Sequence, residues 1–133
     1  MSRDTGSAGI EAAIAVTAFI GVALFTVGAL RVTTANGDVG SAARAGARAA
    51  ATARADERQA AVDAVVDAAL AAGGVACQGR PEVDIAPVDA VVTVTVTCTV
   101  SLDDVGALGG FSGSRTVSAS ATELIDEYRG GDG

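Results

Sequence analysis

Between Glu11 and Arg31 the chain runs for nineteen residues, Ala12 to Leu30, without a charge. At about 1.5 Å per residue, a helix of that length spans roughly the hydrocarbon thickness of a bilayer. Ala, Gly and two threonines (Thr17, Thr26) dilute the run, so it is a weakly hydrophobic span. The competing placement, a helix enclosed in a soluble core, needs large side chains around it. Half of the 133 residues are apolar, yet only three Phe, one Tyr and no Trp are among them. A core of Ala and Val is too thin for that enclosure, and the segment is read as membrane-spanning.

Composition excludes several function classes. Nine Arg and no Lys face 16 acidic residues, a net charge of −7. Such a chain lacks both the phosphate-neutralising charge and the stacking surfaces of a nucleic-acid binder. With no histidine, Ser-His and Cys-His nucleophile pairs and His-ligated metals are ruled out. Neither G-x-G-x-x-G nor a P-loop occurs, so nucleotide cofactors are not expected. An enzyme would need an all-carboxylate site such as Asp103 with Asp104, which reads more simply as a solvated turn. The expectation is a non-enzymatic protein without metal or cofactor.

Charge is distributed unevenly. Residues 1–58 carry six Arg against five acids, and residues 59–133 three Arg against eleven. Two regions in different surroundings, or facing each other, would produce this split; so would a solvated acidic domain carrying an apolar tail.

Just upstream of the span the chain reads Arg3-Asp4-Thr5-Gly6-Ser7-Ala8-Gly9-Ile10-Glu11. A short charged leader ending in Gly, with Glu five residues on at the edge of an apolar run, resembles the processing site of type IV prepilins and pseudopilins. The resemblance implies cleavage between Gly6 and Ser7. A carboxylate at the edge of lipid is expensive to bury unpaired. Cleavage would create an α-amino group on Ser7, one helical turn from Glu11. That amine can neutralise Glu11 in its own chain or, in a filament, in a neighbour, so that Glu11 sets the axial register. The plain alternative is that Glu11 marks the water-exposed start of an anchor. A secretory signal peptide, cut near Thr33-Thr34-Ala35, is a further reading. The flanking arginines (Arg31, Arg44 and Arg48 after the span, Arg3 alone before it) favour the orientation opposite to that of a prepilin.

Beyond the span the helix is expected to continue over residues 32–56, with a weak point at Asn36-Gly37-Asp38 or Gly40. On one continuous helix Arg44, Arg48, Arg54 and Arg58 share a 120° sector opposite an Ala face, at about 100° per residue. That stripe reads as a solvated face, as a contact for acidic groups, or as a lipid-binding surface, the last disfavoured by Asp56 and Glu57. A second helical segment, Ala60 to Ala72, turns Val62, Val65, Val66, Ala69 and Leu70 inward and Asp63 and Asp67 outward, then stops at Gly73-Gly74. The period then changes to two. Val92, Val94, Val96, Cys98 and Val100 alternate with threonines in a half-buried strand. Val83 and Ile85 form a shorter strand ended by Pro87, and Arg115 to Thr122 a third. A Gly-rich loop from Asp103 to Gly113 is read as mobile or as a subunit contact, and the tail from Glu127 as frayed.

These elements predict an α+β fold: a long N-terminal membrane helix, a second helical segment, and an antiparallel sheet of about three strands covered by the Ala face of residues 42–72. Cys77 and Cys98 are too far apart for a CxxC redox or zinc motif. In an exported domain with a thin core they read as a disulfide; two unpaired buried thiols in a cytosolic protein are the alternative.

The leader with GSAGIE, the span running into Arg31-Val32, AARAGARAAATAR, the cysteines around VTVTVTCTV and the closing SRTVSASATELIDEYRGG together resemble TadE-like proteins of the tight-adherence (Flp, type IVc) pilus system. The family's Glu-x-Gly-Arg-like transition after the span is replaced here by Val27-Gly28-Ala29-Leu30-Arg31. The resemblance implies a minor pseudopilin with a leader (1–6), a pilin helix (7–31), its continuation (32–56) and an exported domain (57–133). It would be processed by a prepilin peptidase and held in the cytoplasmic membrane, with lipid around its helix until assembly. Its partners would be other pilin subunits and the inner-membrane assembly platform, and it would stay associated with the pilus at the cell surface. Gly21 and Gly28 would then let neighbouring helices approach closely. The alternative is an uncleaved single-span envelope protein presenting a small binding module.

Overall fold

The computed structural model describes residues 5–103 and 113–125, with side chains described from residue 8. Residues 1–4 of the expected leader, the loop from Asp104 to Ser112, and residues 126–133 with the expected frayed tail from Glu127 lie outside the described residues.

Two helices precede three strands: α1 (Thr5–Thr52), α2 (Arg58–Gly73), β1 (Glu82–Val88), β2 (Val91–Ser101) and β3 (Ser114–Leu124). This is the expected α+β arrangement. The strands form one antiparallel sheet in the order β1-β2-β3. Helix α1 has 48 residues, about 72 Å at 1.5 Å per residue, and it passes the expected weak point at 36–40 without a break. Packing explains the continuity, because Ala35 and Val39 are buried on either side of Gly37.

The Ala/Arg-rich stretch departs from its expected continuation through residue 56. Helix α1 ends at Thr52 and the chain reverses through Ala53–Glu57. Ala53 N–H donates to Ala49 O, Glu57 N–H to Arg54 O, and Arg58 Nε to Ala50 O at 3.0 Å, which satisfies a terminal carbonyl of α1. Local propensity favours continuing the helix. Reversal instead buries Val62, Val66 and Leu70 of α2 with Ala42, Ala43, Ala47, Ala50 and Ala51 of α1 in one core, and tertiary burial prevails. The four-arginine stripe is accordingly split: Arg44 and Arg48 lie on α1, Arg54 in the turn and Arg58 at the start of α2.

Gly73-Gly74 ends α2 as expected. Gly74 takes the left-handed conformation at φ 73°, its N–H donating to Ala71 O while Val75 N–H donates to Leu70 O, the paired pattern of a Schellman stop.

The sheet lays Val92, Val94, Val96 and Cys98 of β2, with Val117 of β3, against the helices, all buried. Val100, expected on the same face, is half-buried at the end of the strand. The other face carries a ladder of hydroxyl pairs: Thr93–Thr122, Thr95–Ser120, Thr97–Ser118 and Thr99–Thr116, at 2.8–3.2 Å. Strand β1 runs through Pro87, where the sequence suggested it would stop. Pro87 lies on an edge strand, where a missing N–H breaks no ladder bond if it faces outward. Asp89, at φ 53°, makes the tight turn into β2.

Cys77 and Cys98 form a disulfide with Cα atoms 5.3 Å apart. It ties the α2–β1 connection to the middle strand, beside a short pairing of Cys77 with Val100 and a bond from Gln78 N–H to Thr99 O.

Candidate functional site

Only the second half of α1 belongs to the folded core. From Ala35 to Ala51 its inward positions are buried, whereas none of its apolar eighteen-residue window is. Phe19 and Phe25 are about three-quarters exposed, and Ile10, Ile14, Ile20, Val22 and Leu30 more than half. A ridge this apolar, with no partner among the described residues, is suited to an apolar environment, and it is long and apolar enough to cross a bilayer.

The polar groups of the span are arranged for that environment. The hydroxyls of Thr17, Thr26 and Thr33 donate to the carbonyls of Ala13, Val22 and Ala29, each four residues back, at 2.8–3.0 Å. Both hydroxyls within Ala12–Leu30, those of Thr17 and Thr26, thus have an internal acceptor, as a water-free medium demands.

Ser7 and Glu11 lie on α1, four residues apart and so on one face. Glu11 is exposed. Gly6, on the expected cleavage bond, lies within the same helix. Gly21 and Gly28 touch nothing: a Cβ built on either would have no neighbour within 4 Å. The described residues therefore give no packing reason for these glycines. Ala35, last residue of the small-residue triplet considered as a signal-peptide site, is 7% exposed within the core. A cut there would sever α1 inside the folded domain.

Asp103 shapes the loop mouth. Its carboxylate accepts from Ser101 Oγ at 2.9 Å and Gly113 N–H at 3.1 Å, while its own N–H donates to Ser101 Oγ. Leu102 N–H donates to Gly113 O, so the carboxylate is engaged in closing the base of the loop. Asp104 lies outside the described residues. Arg48 reaches Glu123 of β3 at 3.7 Å, the one ion pair among the described residues.

A feature without a sequence signal lies where the exposed and buried halves of α1 meet. A cleft of about 550 Å³ opens between α1, the end of α2 and the end of β2, with Leu30, Arg31, Asp38, Gly73 and Ser101 on its walls. Asp38 is half-buried, and its Oδ2 is buried with no hydrogen-bond partner among the described residues. In the sequence Asp38 reads as part of a helix weak point; only the return of α2 gives it a wall to face. Neither a family model nor a curated protein nor a solved structure matches this chain.

Proposed function

We propose that the protein is a pilin-like structural subunit, a minor pseudopilin of the tight-adherence type, matured by prepilin peptidase after Gly6 and taking part in pilus assembly. The observation that carries the reading is the unpacked apolar half of α1 with a single acid, Glu11, at its entrance. Before assembly that half lies in the cytoplasmic membrane. In the assembled state other pilin helices replace the lipid, with Gly21 and Gly28 as sites of close approach. The new Ser7 ammonium neutralises Glu11 of its own or a neighbouring chain, fixing the stagger between subunits. The disulfide-tied domain faces the extracytoplasmic side, consistent with the oxidising compartment in which such bonds persist.

The reading is tested by Glu11→Ala in the producing cell. Processing after Gly6 continues and pilus number falls; normal piliation would remove the register role. The second reading, an uncleaved single-span envelope protein presenting its domain as a small extracytoplasmic binding module, takes Glu11 as the water-exposed start of a plain anchor; Arg31, Arg44 and Arg48 flank the span on the side that both readings export, against the positive-inside tendency. Under that reading Met1 or Ser2 remains the N-terminus.

A further inference from the structure

The geometry points to a phospholipid-headgroup site in the cleft at the base of the span, selective for a phosphate ester bearing a primary ammonium, the phosphoethanolamine class. The inference rests on the membrane placement of α1 proposed above.

One electrostatic arrangement at the end of α2 is unfavourable as it stands. Asp38 presses against the C-terminal end of α2, so closely that a Cβ on residue 73 would lie 2.7 Å from Asp38 Cγ. Only a residue without a side chain permits the approach. The C-terminus of a helix carries the negative end of its dipole, and a carboxylate there is repelled. Asp38 gains no compensation within the described chain, since Oδ2 has no donor and no cation lies within ion-pair distance. A half-buried anion next to a negative helix end is a site for a cation. Asp38 lines the cleft, so a cation held there lies beside this carboxylate, whose Oδ2 has no donor among the described residues.

The rest of the cleft specifies what carries that cation. Arg31 lines it too. Two helical turns before Asp38, it lies on the same face, about 10.5 Å away along the axis. An exposed guanidinium at that distance suits a phosphate. Leu30 and Val27 continue the wall into the apolar span, where acyl chains would lie. Apolar wall, anion acceptor and cation acceptor thus follow one another along α1 in the order that acyl chain, phosphate and ammonium require, with the phosphate group at Arg31 at the water–lipid boundary. A choline headgroup offers no N–H to Asp38, and a glycerol headgroup offers no charge.

The test reconstitutes the full chain in nanodiscs of equal parts phosphatidylethanolamine, phosphatidylcholine and phosphatidylglycerol, and counts the lipids retained on release by native mass spectrometry. Wild type retains phosphatidylethanolamine over phosphatidylcholine by about tenfold, the factor expected for one charge-assisted hydrogen bond. Asp38→Asn, nearly isosteric, brings that ratio to about one. Arg31→Gln, at an exposed position that cannot disturb the core, lowers retention of all three lipids. Equal retention of the two lipids by wild type, or an unchanged ratio in Asp38→Asn, overturns the site. Soluble phosphoethanolamine binding as tightly as the lipid, or a lipid-free dimer held through the cleft, likewise overturns it in favour of a free headgroup or a neighbouring subunit. A chain that does not enter the nanodisc at all contradicts the membrane reading itself; one that enters without headgroup preference contradicts only this site.

Discussion

Gly46 of α1 faces Val94 of β2 so closely that a Cβ on residue 46 would stand 3.2 Å from Val94 Cγ1, with Val66 Cγ2 and Val62 Cγ1 of α2 at 3.1 and 3.3 Å. The absent side chain is what brings α1, α2 and the sheet together at one point. All three facing groups belong to buried, β-branched valines with little rotamer freedom to yield. Gly46→Ala gains about 1 kcal/mol of helix propensity but incurs overpacking of about 1–3 kcal/mol. The expected net result is destabilisation by about 1 kcal/mol, rising steeply for Gly46→Val. Chemical unfolding of the detergent-solubilised chain, followed by circular dichroism, measures both.

Alternation along β2 makes neighbouring residues respond in opposite ways. Val94 is fully buried, and Val94→Thr places a hydroxyl where no partner is provided, at a cost of about 1–3 kcal/mol. Thr95, one residue on, only pairs its hydroxyl with Ser120 at 2.8 Å on the outer face. Thr95→Val is expected to change stability by less than about 1 kcal/mol. Comparable losses for the two would contradict the assignment of faces.

The disulfide closes a separation of 21 residues, and among the described residues the core it supports has no buried side chain larger than Leu. Replacing both cysteines with Ala is expected to lower stability by about 3 kcal/mol, read as a shift in the unfolding midpoint. A non-reducing digest should recover Cys77 and Cys98 in one linked peptide, and alkylation of both cysteines without prior reduction would contradict the bond.

Arg48 and Glu123 form an exposed pair at 3.7 Å, with the arginine side chain 78% accessible. Arg48→Ala is expected to alter stability by less than about 1 kcal/mol, and the small effect should vanish at high salt. A larger, salt-resistant loss would indicate that Arg48 is covered in the functional assembly.

What could be read from the sequence was whatever had a local cause. The valine–threonine alternation placed β2 because period two has no helical counterpart, and Gly73-Gly74 marked the end of α2 because left-handed backbone strongly favours Gly. The reversal at Ala53–Glu57 carries no such mark. No Gly or Pro interrupts it, so Arg54 and Arg58 read as part of a continuous face until α2 packs back onto α1. Pro87 misled in the other direction, since proline ends a central strand but is tolerated at an edge. The cleft at Asp38 was invisible for the same reason as the reversal: its walls come from three elements distant in sequence. Gly46, hidden in an Ala-rich run, acquires its meaning only from Val94 across the core.

The reading of the N-terminal half depends on proteolysis supplying an ammonium near Glu11, and intact-mass and terminal-peptide spectrometry of the protein taken from the envelope of its native cell addresses that step most directly. The account predicts a polypeptide beginning at Ser7, lacking the six residues before it. A native chain that still begins at Met1 or Ser2 would contradict it, and would leave a tethered domain in place of a fibre subunit.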